Sequence, residues 1–137
     1  MLRTESPGRV DDDERHDAKA RTILVVEDSE PIRRILALLL EGHGYEVVAV
    51  DGGREGLDLA QQLHPRAITL DLSLPDLDGR EVLRALKADA STETIPVIIV
   101  SAYASILTAA ERASAAEVLS KPFDVDELLS RVARVVG

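Results

Sequence analysis

Residues 22–50 read TILVVEDSEPIRRILALLLEGHGYEVVAV. An apolar run of strand length opens this stretch, and a second one closes it. Between them, apolar side chains recur at the spacing of one helix face: Ile32, Ile35, Leu36, Leu39 and Leu40. Ser29 precedes this helix, and Gly42 and Gly44 follow it, as is typical of a helix start and a helix end. A strand, a helix and a second strand in this order are typical of a parallel sheet.

The same alternation continues along the chain and predicts five strands and five helices. The predicted strands are Thr22–Glu27, Tyr45–Val50, Ala67–Asp71, Val97–Ser101 and Glu117–Ser120. After the first, the predicted helices are about Arg54–Leu63, Gly79–Ala88, Ser105–Ala113 and a last one opened by Asp124. The pattern predicts an α/β fold, a doubly wound (βα)5 flavodoxin-like three-layer sandwich with a parallel sheet of strand order 2-1-3-4-5. The fourth helix has few large apolar residues, so we expect it to be the least firmly packed.

Composition narrows the class of protein. The 137 residues suffice for one domain, predicted at 21–137, whereas the polar residues 1–20 predict a flexible tail. The absence of cysteine excludes disulfides and thiolate chemistry. A formal charge of −9 and 2% aromatic residues argue against direct binding of nucleic acid. The sequence has no membrane-spanning run and no start resembling a signal peptide, so we expect a cytoplasmic protein.

Acidic residues stand where the first and third predicted strands end. Glu27 and Asp28 close the first strand, and Asp71 closes the third. Because these strands are neighbours in the predicted sheet, we expect the three carboxylates to converge at its carboxyl edge. Such a cluster needs a cation, and an all-oxygen site suits Mg²⁺. An alternative is that Glu27 and Asp28 only stabilise the N-terminus of the following helix, where acids are favourable. Asp71 argues for a functional cluster, because an acid that ends an apolar strand is seldom buried without a partner.

The fourth and fifth strands also end in polar side chains, Ser101 and Lys121. Lys121 can neutralise one phosphoryl oxygen, Ser101 can donate a hydrogen bond to another, and the cation can hold a third. The carboxylate that would face the phosphorus atom is Asp71. Taken singly, a residue such as Ser101 is more often a solvated loop hydroxyl and one such as Lys121 more often a surface lysine, so the value of both depends on their position beside the acids. The pattern predicts phosphoryl transfer to Asp71.

With these residues in place, the chain resembles a response-regulator receiver domain of two-component signal transduction systems over about residues 21–137. The matching motifs are Glu27-Asp28, the LDLSLPDLDG segment 70–79, Ser101-Ala102 and Lys121-Pro122-Phe123. The resemblance implies that Asp71 is the nucleophile and a metal ligand. It also implies that Mg²⁺ is held by Asp28 directly, by Glu27 through water and by the Ser73 carbonyl.

The resemblance also implies partners. The donor would be the phosphohistidine of a sensor histidine kinase or a phosphotransfer protein; Lys121 would bind the incoming group, and Ser101 would move toward it afterwards. The domain would catalyse only its own phosphorylation and dephosphorylation. Since the sequence ends just after the fifth helix, we expect a regulator without its own output domain. It would bind a downstream protein or a second copy of itself through the fourth helix, fifth strand and fifth helix, where we expect Arg131 and Arg134 to project.

One position departs from the family. Three residues before the lysine the family usually has an aromatic residue, and this chain has Val118. A valine has little rotameric choice. We therefore expect the fourth helix and its preceding loop to carry the switch, with Tyr103 as the mobile aromatic residue.

Two other classes of function fit parts of the pattern. A phosphatase with an aspartate nucleophile needs a general acid two residues after it, and that place is Ser73. A constitutive interaction module would keep the receiver fold without phosphorylation, although all the acceptor residues are present. Asp76 and Asp78 are not assigned to the metal, and we expect Asp78 to cap the third helix.

Overall fold

The computed structural model describes residues 21–137, so the predicted tail at residues 1–20 lies outside the described part of the chain. The strands are β1 Thr22–Val26, β2 Glu46–Val50, β3 Ala67–Leu70, β4 Val97–Ser101 and β5 Glu117–Ser120. The helices are α1 Glu30–Glu41, α2 Gly53–Leu63, α3 Gly79–Ala88, α4 Ala109–Ser114 and α5 Val125–Val136. Within this range, no helix has the length and hydropathy needed to cross a membrane.

The strands of the described range form one parallel sheet in the order β2-β1-β3-β4-β5. The predicted α/β fold and strand order are therefore confirmed. The chain leaves β1 toward one sheet edge and returns to β3 on its other side, so the carboxyl ends of these two strands flank the crevice of a doubly wound sheet. Val26 pairs with Leu70 at the last rung, which brings the residues after β1 and β3 to the same level.

Apolar side chains cover both faces of the sheet. One cluster joins alternate strand residues to α3: Leu24, Val26, Ile68, Leu70, Val97 and Ile99 with Val82, Leu83 and Leu86. The other joins the intervening residues to α1 and α5: Ile23, Val25, Ala67, Ile98 and Val100 with Leu36, Leu40, Leu128 and Val132. Successive strand side chains point to opposite faces, so the central strands are buried on both sides and mostly apolar, with Thr69 as a buried polar residue within β3.

Helix α1 buries a narrower stripe than the sequence predicts. Leu36 and Leu40 are buried, and Leu39 is half-buried, but Ile35 is 49% exposed and Leu38 is 63% exposed. The prediction that Ile35 belongs to the packed stripe is wrong. Each residue turns the helix by about 100°, so Ile35 lies at the margin of a stripe centred on Leu36.

The predicted fourth helix, Ser105–Ala113, is wrong as a continuous helix. The chain forms a 3₁₀ turn at Ala104–Ile106, and Leu107 then has an extended backbone. Helix α4 starts after Thr108, whose Oγ1 accepts a hydrogen bond from the Glu111 N–H at 3.1 Å, while Glu111 Oε1 accepts from the Thr108 N–H at 2.9 Å. This reciprocal capping box fixes the helix start. None of the six residues of α4 is buried, in agreement with the expected weak packing.

Candidate functional site

Three carboxylates meet at the carboxyl edge of the sheet. Oxygens of Glu27, Asp28 and Asp71 lie within 4.8 Å of one another. Glu27 and Asp71 are buried, with exposures of 1% and 4%, whereas Asp28 is exposed. The sheet register causes this convergence, because the Asp71 N–H donates to the Val26 carbonyl at 3.0 Å and thereby aligns the ends of β1 and β3.

Lys121 reaches into this cluster from the end of β5. Its Nζ lies 2.8 Å from Glu27 Oε1 and 3.2 Å from Asp71 Oδ2. Its main-chain N–H donates to the Ser101 carbonyl at 3.1 Å, which ties the lysine to the end of β4. Three carboxylates and one ammonium leave two formal negative charges at the site, which a divalent cation would balance.

Burial and charge shift the pKa values of the central pair. Burial raises the pKa of Glu27 above its ordinary value; the hydrogen bond from Lys121 opposes this rise, and the charge of Asp71 adds to it. Burial lowers the pKa of Lys121, but the hydrogen bond to Glu27 and the charges of Asp71 and Glu27 outweigh it, so this pKa is raised. Lys121 therefore stays an ammonium at neutral pH.

Both oxygens of Asp71 have partners. Oδ2 contacts Lys121, and Oδ1 accepts a hydrogen bond from the Ser73 N–H at 3.3 Å. The following loop closes tightly, because the Gly79 N–H donates to the Leu72 carbonyl at 2.9 Å. A Cβ atom on Gly79 would lie 2.4 Å from Leu72 Cα and 2.5 Å from the Asp71 carbonyl oxygen. Only glycine lets α3 begin so close to the end of β3.

Ser101 ends β4 and is completely buried. Its Oγ accepts a hydrogen bond from the Tyr103 N–H at 3.1 Å, while its carbonyl accepts from Lys121. The serine thus lies at the same sheet edge as the acids. It also holds the start of the loop that leads to α4.

The family model of the response regulator receiver domain matches residues 23–133. The chain belongs to the response regulator receiver domain family. Receiver domains are phosphoacceptor signalling domains of two-component systems, which interact with histidine kinases and with downstream targets.

Three similar proteins illustrate this family. Regulatory protein AtoC of Escherichia coli is 39% identical over 109 residues, which cover 77% of this chain and 23% of AtoC. The polar-differentiation response regulator DivK of Brucella ovis is 40% identical over 84 residues, which cover 61% of this chain and 68% of DivK. A crystal structure of the receiver domain of the sensor histidine kinase PA1611 from Pseudomonas aeruginosa, with a magnesium ion coordinated in its active site cleft, has a TM-score of 0.77. It is 30% identical, and the match covers 85% of this chain and 98% of that one. The chain spans less than half the length of AtoC and of several other relatives.

The acidic cluster of this receiver domain fits a magnesium ion. Its donors are carboxylate oxygens on Glu27, Asp28 and Asp71, and Mg²⁺ is usually held by one or two carboxylates with several waters. The exposure of Asp28 leaves one side of the cluster open to such waters. The donor chemistry and the residual charge therefore both suit this ion.

Asp78 of the receiver domain caps a helix instead of joining the cluster. Its Oδ1 accepts from the Arg80 N–H at 2.8 Å, and its own N–H donates to Glu81 Oε1 at 3.3 Å. Side-chain and main-chain hydrogen bonds from Arg80 hold the pKa of Asp78 below its ordinary value. The prediction that Asp78 caps the third helix is confirmed.

Asp76 has a structural role that the sequence analysis missed. It accepts hydrogen bonds from the N–H groups of Gly53 at 2.8 Å and Arg54 at 3.0 Å. The bonds from Arg54 and Gly53 lower the pKa of Asp76. It thereby joins the loop after Asp71 to the start of α2. The sequence contains one sign of this role: the N-cap residue of that helix is Gly52, which has no side chain to accept hydrogen bonds from the first N–H groups, so another residue must do so.

The receiver domain has no aromatic side chain at the usual position on β5. Val118 is half-buried there, pairs with Ile99 and packs against the core. Tyr103, in the loop after β4, is 55% exposed. Its main chain is held by Ser101, whereas its ring faces solvent.

The two arginines predicted to project from α5 are paired within the chain. Arg131 contacts Glu117 at 2.9 Å and Glu127 at 2.8 Å, and its side chain is mostly shielded. Arg134 contacts Glu117 at 3.1 Å but stays largely exposed. The prediction that both arginines project therefore fits Arg134 better than Arg131, because the ion pair with Glu117 at the start of β5 holds Arg131 close to the sheet edge.

Proposed function

We propose that Asp71 accepts a phosphoryl group from the phosphohistidine of a sensor histidine kinase or phosphotransfer protein in a Mg²⁺-dependent reaction. The phosphorylated domain, residues 21–137, then binds partners differently. The single observation that carries the proposal is the meeting of three carboxylates within 4.8 Å with the Lys121 ammonium, 2.8 Å from Glu27 and 3.2 Å from Asp71. An ion bound there would neutralise charge on the carboxylates and on the transferred group.

Each residue would have a distinct task. A carboxylate oxygen of Asp71 attacks phosphorus; the new P–O bond forms as the P–N bond to the donor imidazole breaks, and the imidazole leaves with that electron pair. Lys121 already contacts Asp71 Oδ2, so its ammonium is placed to neutralise an oxygen of the arriving group. The ion would be held by Asp28 and Asp71, by Glu27 through water and by the Ser73 carbonyl.

Ser101 would report the new charge. Its Oγ accepts the Tyr103 N–H in the described structure, so a rotation toward a phosphoryl oxygen would release the loop before α4. That helix has no buried residue, and weakly packed elements reorganise at low cost. Since Val118 cannot rotate like an aromatic ring, the switch would act through residues 102–113 and Tyr103.

The changed surface would comprise α4, β5 and α5. Two large apolar side chains near it are already exposed, Tyr103 at 55% and Ile106 at 47%. A downstream protein, or a second copy of the chain, that prefers one conformation of this loop would shift the population toward it. Direct binding of nucleic acid is disfavoured by the net charge of −9.

Phosphorylation can be tested with a small-molecule donor. The full chain is incubated with acetyl phosphate and Mg²⁺, and its intact mass is measured. The expected result is the gain of one phosphoryl group, which Asp71→Asn abolishes. The matched control is Asp58→Asn, an exposed carboxylate on α2, which should label like the wild type. Absence of any mass gain in the wild type would favour the constitutive interaction module.

A further inference from the structure

Arg33 of α1 turns back toward the acidic pair. Its Nη1 donates to the Glu27 carbonyl at 2.9 Å and lies 3.4 Å from the Asp28 carbonyl. Its side chain is half-buried. The next residue, Arg34, points into solvent and pairs with Glu30 at 3.2 Å, with both side chains about 70% exposed. The two adjacent arginines therefore differ in what they contact, although they carry the same charge.

The carbonyls that Arg33 contacts belong to the turn between β1 and α1. Two N–H groups on this turn have partners inside the fold: the Glu27 N–H donates to the Val50 carbonyl at 3.0 Å, and the Ser29 N–H donates to Glu27 Oε2 at 3.2 Å. Main-chain carbonyls also need partners where water is excluded. Arg33 supplies such a partner for the partly buried Glu27 carbonyl at 2.9 Å and makes a longer, exposed contact with the Asp28 carbonyl at 3.4 Å. These two residues carry two of the three clustered carboxylates.

We infer that Arg33 is a positioning residue for the cation site, which fixes the Glu27–Asp28 turn so that its carboxylates stay close to Asp71. The inference rests on the function proposed above. Carboxylates within 4.8 Å repel one another, and Lys121 contacts Glu27 and Asp71. The contact of Arg33 with the carbonyls adds to these bonds and opposes an outward relaxation of the turn that carries Asp28. Residues that orient metal ligands without touching the metal typically change its affinity by about 10–100-fold.

Arg33 has two effects on a bound cation, and they have opposite signs. As a positive charge near the acids it repels Mg²⁺, so its removal acting through charge alone would tighten binding. Through its contacts with the Glu27 and Asp28 carbonyls, Arg33 keeps the carboxylate ligands close together. Its removal acting through these contacts would therefore weaken Mg²⁺ binding. If Arg33 only stabilised another part of the fold, its replacement would lower the free energy of unfolding and leave the Mg²⁺ affinity unchanged. The direction of the change in affinity therefore identifies the role.

The experiment is a calorimetric titration of the full chain with MgCl₂, comparing wild type, Arg33→Met, Arg33→Lys and Arg34→Met. We expect Arg33→Met to raise the Kd for Mg²⁺ by about tenfold. Arg33→Lys keeps the charge but not the reach of the guanidinium, so it should also weaken binding. Arg34→Met removes the same charge from the neighbouring position and should leave the Kd unchanged or slightly lower. In the Mg²⁺-free Arg33→Met protein, the amide resonances of residues 27–29 should shift while those of β5 stay in place.

Unchanged or tighter Mg²⁺ binding by folded Arg33→Met would overturn the inference. If circular dichroism shows that Arg33→Met does not fold, Arg33→Lys decides: weaker binding at an unchanged melting temperature supports the positioning role, and wild-type affinity overturns it. A wild type that does not bind Mg²⁺ at all would overturn the proposed function as well. The two failures are therefore distinguishable.

Discussion

Lys121 and Glu27 form an ion pair of 2.8 Å between two side chains that are largely shielded from solvent, with 14% and 2% of their areas exposed. The same ammonium lies 3.2 Å from Asp71. One cation thus compensates two buried carboxylates that the chain places at adjacent strand ends. Removing one member of such a buried group leaves the other charges without compensation, which is more costly than losing an exposed pair.

Lys121→Met should destabilise the Mg²⁺-free domain. We expect a loss of about 3 kcal/mol in the free energy of unfolding, because Glu27 and Asp71 remain buried without a counter-charge. Added Mg²⁺ should recover part of this loss. Urea unfolding in EDTA and in Mg²⁺ measures both effects. The control, Arg34→Met, breaks an exposed pair and should cost less than about 1 kcal/mol; equal losses in the two variants would contradict the expectation.

Asp76 should make the stability of the domain depend on pH in the acid range. Its pKa lies below the ordinary value of 3.8, because the N–H groups of Arg54 and Gly53 stabilise the carboxylate. A lowered pKa means that the stabilisation is present above 3.8 and is lost as the pH falls through the lower folded value.

The measurement is the urea midpoint of wild type and Asp76→Asn from neutral to strongly acidic pH. The wild type should be the more stable at neutral pH, and the difference should shrink below pH 3.8. Asp58→Asn, exposed on the same helix that Asp76 caps, serves as the matched control and should change the neutral-pH midpoint less. A difference for Asp76→Asn that grows on acidification would rule out this role.

Two buried threonines should respond in opposite directions to the same substitution. Among the buried side-chain nitrogen and oxygen atoms of residues 21–137, Thr69 Oγ1 has no hydrogen-bond partner. Thr92 Oγ1, by contrast, donates to the Leu86 carbonyl at 2.7 Å. Thr69→Val removes an unsatisfied hydroxyl and should stabilise the domain by about 1 kcal/mol. Thr92→Val should destabilise it by about the same amount. Thermal unfolding of both variants checks this, and a destabilised Thr69→Val would show that its hydroxyl has a partner in solution.

Ser101→Ala should loosen the loop that leads to α4. The substitution removes the acceptor of the Tyr103 N–H at 3.1 Å, so that amide should exchange with solvent faster, by at least several-fold, without a global loss of protection. Hydrogen exchange followed by NMR measures it residue by residue. Ser120→Ala alters the exposed serine paired with Ser101 on β5 and should leave Tyr103 unchanged. An unaltered Tyr103 rate in Ser101→Ala would mean that this bond does not hold the loop.

Local patterns predicted much of the fold. The bounds of α3, β4 and β5 agree with the prediction, because a capping aspartate before Gly79 and short apolar runs mark them. The acids after β1 and β3 could be grouped because parallel strands of known order end at the same edge. The start of α4 was missed although its signal, Thr108 with Glu111, is also local.

Other features depend on contacts that no local pattern contains. Asp76 binds N–H groups 22 and 23 residues away in the chain. Arg33 contacts main-chain carbonyls, which carry no residue-type signature. Arg131 is held by Glu117 across the space between α5 and β5. Such pairings arise only when tertiary packing brings the segments together.

The identity of the acceptor residue can be measured directly by chemical trapping. The chain is phosphorylated in Mg²⁺, reduced with borohydride, which converts an aspartyl phosphate to homoserine, and digested for peptide mass spectrometry. We expect homoserine at position 71 in the wild type, and none when EDTA replaces Mg²⁺ or when Lys121 is changed to Met. A phosphorylated protein in which Asp71 remains an unmodified aspartate, or labelling that persists in EDTA, would contradict Mg²⁺-dependent transfer to Asp71.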